Sequence, residues 1–134
     1  MTTLHNPEKL PPPLGMYSHV AAPAELRRLV FLAGQLAVDD KGEVVGVGDL
    51  DAQMRRVFEC IGLGLESEKL GFDDIMDMTT YVTERSLIAP FFACRRSLFP
   101  ELFSDGAYPP NTLLIVNGLV LPECLIEVQV IAGK

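Results

Sequence analysis

The residue best placed to do chemistry is Glu127, a lone acid inside the apolar run Cys124-Leu125-Ile126-Glu127-Val128. A charged carboxylate in such a strand is costly unless it is paired or hydrogen-bonded. Two readings stay open. One is a structural contact to Arg27, Arg28 or a neighbouring subunit's amide, or a place at a solvent-facing strand end. The other is a general base held in a pocket, where it takes a proton from water or substrate. No Ser-His-Asp, P-loop, GxGxxG or HExxH arrangement competes with it. His5 and His19 stand at no metal-ligand spacing from another His, Cys or carboxylate pair, so no metal is expected. Cys60, Cys94 and Cys124 are odd in number, lack CxxC spacing and sit in apolar stretches, which reads as reduced core thiols. Tyr17 and His19 lie two residues apart and would share one side of a strand. Each reads either as a cleft donor or acid, or as a satisfied interface or rim residue.

A carboxylate can be held this way only by a packed domain. The 134 residues suit one domain, with 49 % hydrophobic and 22 % charged residues, which excludes a disordered chain. A mean hydropathy of +0.26 is high for a small monomer and points to an oligomer. The net charge of −7, with only 11 Lys and Arg, argues against a phosphate-backbone ligand, so no nucleic acid is expected. No apolar run reaches the ~20 residues that span a bilayer. The start lacks a signal-peptide pattern, so the expectation is a cytoplasmic protein without membrane attachment.

Residues 1–14, with Pro7, Pro11, Pro12 and Pro13, read as an irregular arm, and residues 15–134 as the domain. A strand near 16–21 is expected to pair with a buried strand at 29–38 across the turn at 23–28. Asp49 or Asp51 can cap a helix whose apolar face is Met54, Val57, Phe58, Ile61 and Leu65. Gly62 and Gly64 inside it imply a close packing contact, and Gly71 an end. A strand at 75–83 follows, then a helix from Ser86 as candidate cap, carrying Ile88, Phe91, Phe92, Leu98 and Phe99 and reaching Pro100. Runs at 112–120 and 124–132, separated by Leu121-Pro122-Glu123, read as an antiparallel pair. Tyr108-Pro109-Pro110 is a candidate site for a cis peptide. The order is ββαβαββ, an α+β layer with two helices on one face of a mixed sheet. The last two strands are apolar on both alternations, so another subunit must cover the second face.

Five segments carry a family resemblance: Gly15-Met16-Tyr17-Ser18; Val30-Phe31-Leu32-Ala33-Gly34-Gln35; Lys41-Gly42-Glu43-Val44; Pro109-Pro110-Asn111-Thr112; and Leu121-Pro122 followed by Ile126-Glu127-Val128-Gln129-Val130-Ile131-Ala132. In order and spacing they resemble the RidA/YjgF family of reactive intermediate deaminases from Gly15 to the C-terminus. The resemblance implies a chorismate-mutase-like α+β fold, a homotrimer with helices outside, and a ligand cleft between adjacent subunits. It also implies hydrolysis of enamines and imines to a 2-oxo acid and ammonia without metal or cofactor. In the family an arginine clamps the substrate carboxylate and a strand glutamate directs water; Glu127 stands at the glutamate position and Tyr17 at a cleft tyrosine.

Other family positions differ. The arginine position holds Asn111, the serine before Gly-Gln is Ala33, a cysteine two places after the arginine is Leu113, and a helix asparagine is Phe92. Losing a guanidinium forfeits a charge-assisted hydrogen bond worth roughly 1.5–3 kcal/mol. The expectation is therefore a pocket of low charge, suited to a neutral or aromatic ligand, with Asn111 and Thr112 donating to it and Ala33, Phe92 and Leu113 lining it. These departures resemble non-archetypal branches of the family. The expected activity is deamination of an imine or enamine other than 2-aminoacrylate, for example an aminomuconate-type compound. The alternatives are a small-molecule-binding or regulatory trimer without catalysis and, least supported by composition, a chaperone-like protein.

Overall fold

A computed structural model describes residues 2–134. Its strands are β1 (Thr2–His5), β2 (Val20–Pro23), β3 (Leu29–Leu36), β4 (Ile75–Val82), β5 (Asn111–Ile115) and β6 (Ile126–Gly133), and its helices are α1 (Leu50–Ser67) and α2 (Ile88–Leu102). Four strands form one sheet in the order β3-β6-β4-β5, with β4 and β5 parallel and the other pairings antiparallel. Side chains alternate across it. On β6, Ile126, Val128, Val130 and Ala132 are buried on one face, whereas Glu127, Gln129 and Ile131 project from the other. Met78, Thr80 and Val82 of β4 join the buried face.

Both helices cover that face. Asp49 caps α1 by accepting from the Ala52 N–H at 3.1 Å, and Asp51 pairs with Arg55 one turn on at 2.8 Å. Met54, Val57, Phe58, Ile61 and Leu65 form its buried stripe, as their spacing predicts, against β3, β6 and α2. The two glycines do mark close contacts: a Cβ at Gly64 would stand 2.7 Å from Leu32 Cδ2, and one at Gly62 would stand 3.3 Å from the Phe72 ring. The opposite sheet face has no cover within the chain. Phe31 is 65 % exposed there on the β3 edge, and Leu114 is exposed on the β5 edge.

Several sequence expectations need correction. The segment 2–5 is a strand and pairs with β2 in a separate two-stranded ribbon, so the arm is irregular only beyond it. Strand β3 pairs with β6 and not with the segment at 16–21, where Tyr17 and His19 lie in non-strand chain. β5 and β6 run in opposite directions but are not neighbours, because β4 lies between them. The run at 112–120 ends as a strand at Ile115, and the ten-residue connection 116–125 supplies the crossover that the turn Leu121-Pro122-Glu123 alone could not. Helix α1 stops before Gly71, with Lys69 taking the left-handed conformation at φ 60°. Ser86 caps nothing: it lies in a 3-10 turn at Arg85–Leu87 and donates to Glu84. No peptide bond in the described residues is cis.

Candidate functional site

The site residues read from the sequence fall into two groups. Tyr17, Phe92, Asn111, Thr112 and Leu113 line one cleft of about 370 Å³, completed by Leu14 and Arg95. It lies where the edge strand β5, the first half of α2 and the chain preceding β2 meet. β5 reaches this place because α2 is its crossover from β4, which puts strand and helix on the same flank. Asn111 pairs in register with Met78, on the helix-covered face, and Thr80 Oγ1 donates to Asn111 Oδ1 at 2.8 Å. The amide nitrogen Nδ2 is left as a donor. Tyr17 is held by the Leu14 N–H, which donates to its hydroxyl at 3.1 Å, so the phenolic hydrogen stays free to donate. His19 packs edge-on to Tyr17 at 5.6 Å, and its ring nitrogen meets the Pro11 carbonyl at 2.7 Å, so it holds the segment in place from behind.

Arg95 changes the character of this cleft. Its residue is only 3 % exposed, yet it forms no ion pair among the described residues. Its Cζ sits 5.0 Å from the centroids of both Phe91 and Phe92 and 6.0 Å from that of Phe99, so three rings face the cation. Gly15 makes room for it, since a Cβ there would stand 3.3 Å from Cζ and still closer to Nη2. No fully buried side-chain nitrogen or oxygen among the described residues lacks a partner, so the unpaired guanidinium nitrogens open onto the cleft. Burial, reinforced by the charge of Arg96, lowers its pKa to about 10, which leaves it cationic at neutral pH. The low-charge pocket expected from Asn111 is therefore corrected: a cation is present, from the helix instead of the strand.

Ala33 and Glu127 belong to the second group, an open depression of about 490 Å³ that they share with Tyr81, Gln129 and the connection at 116–120. β3 carries a bulge between Leu32 and Gln35, where Ala33 and Gly34 interrupt the register opposite β6. The Glu127 side chain fills the space this creates, lying over the Gly34 α-carbon. Of the proposed structural partners, Arg28 is paired with Glu68, and Arg27 makes no side-chain ion pair among the described residues. Neither answers the carboxylate of Glu127.

The two groups lie on opposite faces of one sheet. Asn111 shares the helix side with Met78 and Thr80, while Glu127 pairs in register with Tyr81 and projects from the uncovered side. One copy of the chain cannot present both to one small molecule. Among the described residues no cluster of three or more His, Cys, Asp or Glu is placed to hold a metal, and no helix is long and apolar enough to cross a membrane.

Sequence reasoning missed Arg95 and Gln53. Arg95 had a readable signal: with Phe91, Phe92, Leu98 and Phe99 it occupies the apolar stripe of α2, a core position for a residue seldom buried without a partner. Gln53 is fully buried. It accepts from the Leu125 N–H at 2.7 Å and donates to the Glu123 carbonyl at 2.9 Å, which anchors the connection leading into Glu127.

Comparison with known proteins agrees with this architecture. The family described as Endoribonuclease L-PSP matches residues 7–134. A RutC family protein of Pyrococcus abyssi is 30 % identical over 128 residues, covering 95 % of this chain and 93 % of that protein. The 3-aminoacrylate deaminase RutC of Acinetobacter baylyi is 30 % identical over 134 residues, covering 94 % and 93 %. Among solved structures, YyfB of Yersinia pestis, a protein of unknown function in the conserved Rid family, superposes with a TM-score of 0.86 at 26 % identity, over 99 % of this chain and 98 % of that one.

Proposed function

Because the chain belongs to the Endoribonuclease L-PSP family, which includes the RutC and Rid proteins, we propose that it is a cofactor-independent hydrolytic deaminase. Its substrate is an imine or enamine other than 2-aminoacrylate, bound between adjacent copies of a homotrimer. The observation that carries this reading is the division of the site residues between two faces of the sheet. A second copy, seated against the uncovered face with Phe31 and Leu114, would bring one chain's Glu127 to the next chain's Tyr17, Phe92, Asn111 and Leu113. The deaminase name of the Acinetobacter relative supports the reaction class.

The chemistry needs few groups. Water adds to the imine carbon while the carboxylate of Glu127 takes its proton, and the electron pair of the C=N bond moves onto nitrogen. Glu127 returns that proton to the nitrogen of the carbinolamine. The C–N bond then breaks as the hydroxyl proton passes through Glu127 to the departing nitrogen, and carbonyl product and ammonia leave. Asn111 and Thr112 orient the substrate, while Tyr17 and Phe92 wall the cleft. With a net charge of −7, the protein is a poor partner for nucleic acid, and the ribonuclease in the family's description is not part of this reading.

The test is a semicarbazide-trapping assay. An amino acid oxidase generates imines from serine-sized to phenylalanine-sized amino acids, and 2-aminoacrylate comes from a dehydratase. The expected result is faster loss of a larger imine, no acceleration with 2-aminoacrylate, and abolition by Glu127→Gln with the trimer intact. An assembly that binds small molecules but accelerates no imine would instead be a binding trimer.

A further inference from the structure

We infer that Arg95 is the anion anchor of this cleft and that the ligand seated there carries a carboxylate on a flat, unsaturated or aromatic body. The inference deepens the deaminase reading and takes from it only the location of the site.

Four observations converge. Arg95 is almost fully buried, at 3 % exposure, without a counter-ion among the described residues. A desolvated guanidinium held without an anion is costly, and a bound carboxylate would supply the bidentate partner it lacks. Two more donors face the cleft, the phenolic hydrogen of Tyr17 and Nδ2 of Asn111, since the oxygens of these groups accept from the Leu14 N–H and Thr80 Oγ1; the Thr112 hydroxyl can donate or accept. No Asp or Glu of the same copy lines the cleft, although acids outnumber bases 18 to 11 in the chain. A half-cleft that carries one guanidinium, free donors and no carboxylate of its own, in an acidic protein, is complementary to an anion. The remaining walls, Leu14, Phe92 and Leu113 with the Tyr17 ring, are apolar or aromatic, which suits a flat organic body more than inorganic phosphate.

The position of Arg95 also matters. A cation projecting from α2 holds a carboxylate beside Phe92, at the helix side of the cleft, instead of at the β5 edge where Asn111 stands. The ligand must then extend from that point to reach other groups, which disfavours a three-carbon acid.

Benzoate and its neutral isostere benzamide test the assignment by calorimetry or ligand-observed NMR on the intact assembly. Wild-type protein should bind benzoate at least tenfold more tightly than benzamide. Arg95→Met should erase the preference while benzamide binding stays within about threefold, and Arg95→Lys should retain part of it. Equal binding of the two probes by the wild type overturns the proposal, as does a carboxylate preference that survives in Arg95→Met. Wild-type indifference to the probes together with loss of assembly in Arg95→Met would mean that a neighbouring copy's carboxylate answers the guanidinium, and also overturns it. Binding and turnover separate cleanly: benzoate selectivity through Arg95 without imine hydrolysis refutes the deaminase reading alone, and imine hydrolysis without benzoate selectivity refutes this one alone.

Discussion

The carboxylate of Glu127 rests on the bare α-carbon of Gly34. A Cβ at position 34 would stand 2.7 Å from Glu127 Cδ and closer to Oε2, so a side chain and this carboxylate position exclude each other. The bulge in β3 therefore acts as a seat for one acid. Because the colliding atoms are the far end of a flexible side chain, Gly34→Ala should change folding stability by less than about 1 kcal/mol. It should nevertheless swing the carboxylate away and cut imine turnover at least tenfold. Thermal denaturation measured beside the trapping assay separates the two effects, and unchanged turnover would show that Glu127 is not held for catalysis.

The opposed placement of Asn111 and Glu127 predicts complementation. Glu127→Gln disables one group of residues, and Leu113→Trp, which fills the other cleft, disables the second. Each variant alone should be inactive. Co-refolded in equal amounts into random trimers, they should recover about a quarter of wild-type activity, since one shared site in four draws an intact half from each neighbour. Recovery is read in the same assay after size-exclusion chromatography confirms mixed assemblies.

Gln53 ties α1 to the connection ahead of β6 through the Leu125 N–H and the Glu123 carbonyl. Gln53→Leu keeps the volume but strands both backbone groups in a buried place. The expected cost is about 2–3 kcal/mol, visible as a lower urea midpoint with an unchanged slope.

Asp77 on β4 gives a pH signature. Burial raises its carboxyl above the ordinary range, against a smaller lowering by the Met78 N–H. The native state thus favours the protonated form. Its contribution is complete below the unfolded value and is lost as pH rises through the higher folded one. Asp77→Asn should gain stability over wild type at pH 7 and lose that advantage near pH 3.5, as followed by urea unfolding at both pH values.

Much of this was legible from residue types. The stripe Met54, Val57, Phe58, Ile61 and Leu65 dictated α1, because that signal depends only on neighbours along the chain, whereas strands apolar on both alternations left open which face Glu127 would take. Strand adjacency was not legible. Whether β6 lies beside β5 or slips between β3 and β4 depends on the path of residues 116–125, which local propensity does not encode. The residues singled out from the sequence gather into two groups, and the charge of the cleft was read incompletely. Replacing the family arginine by Asn111 suggested an uncharged cleft, and only the packing of α2 against β5 and Gly15 brings Arg95 into it. The helix periodicity already held that clue, since an arginine in a stripe of phenylalanines needs a reason.

On the proposed reading, opposite-face placement of Asn111 and Glu127 would make an isolated copy of the chain chemically mute. Specific activity should then depend on protein concentration, collapsing on dilution below the point where copies part. In a cell expressing two alleles, a defective version that still assembles would poison its normal neighbours, so damage to this gene could act dominantly.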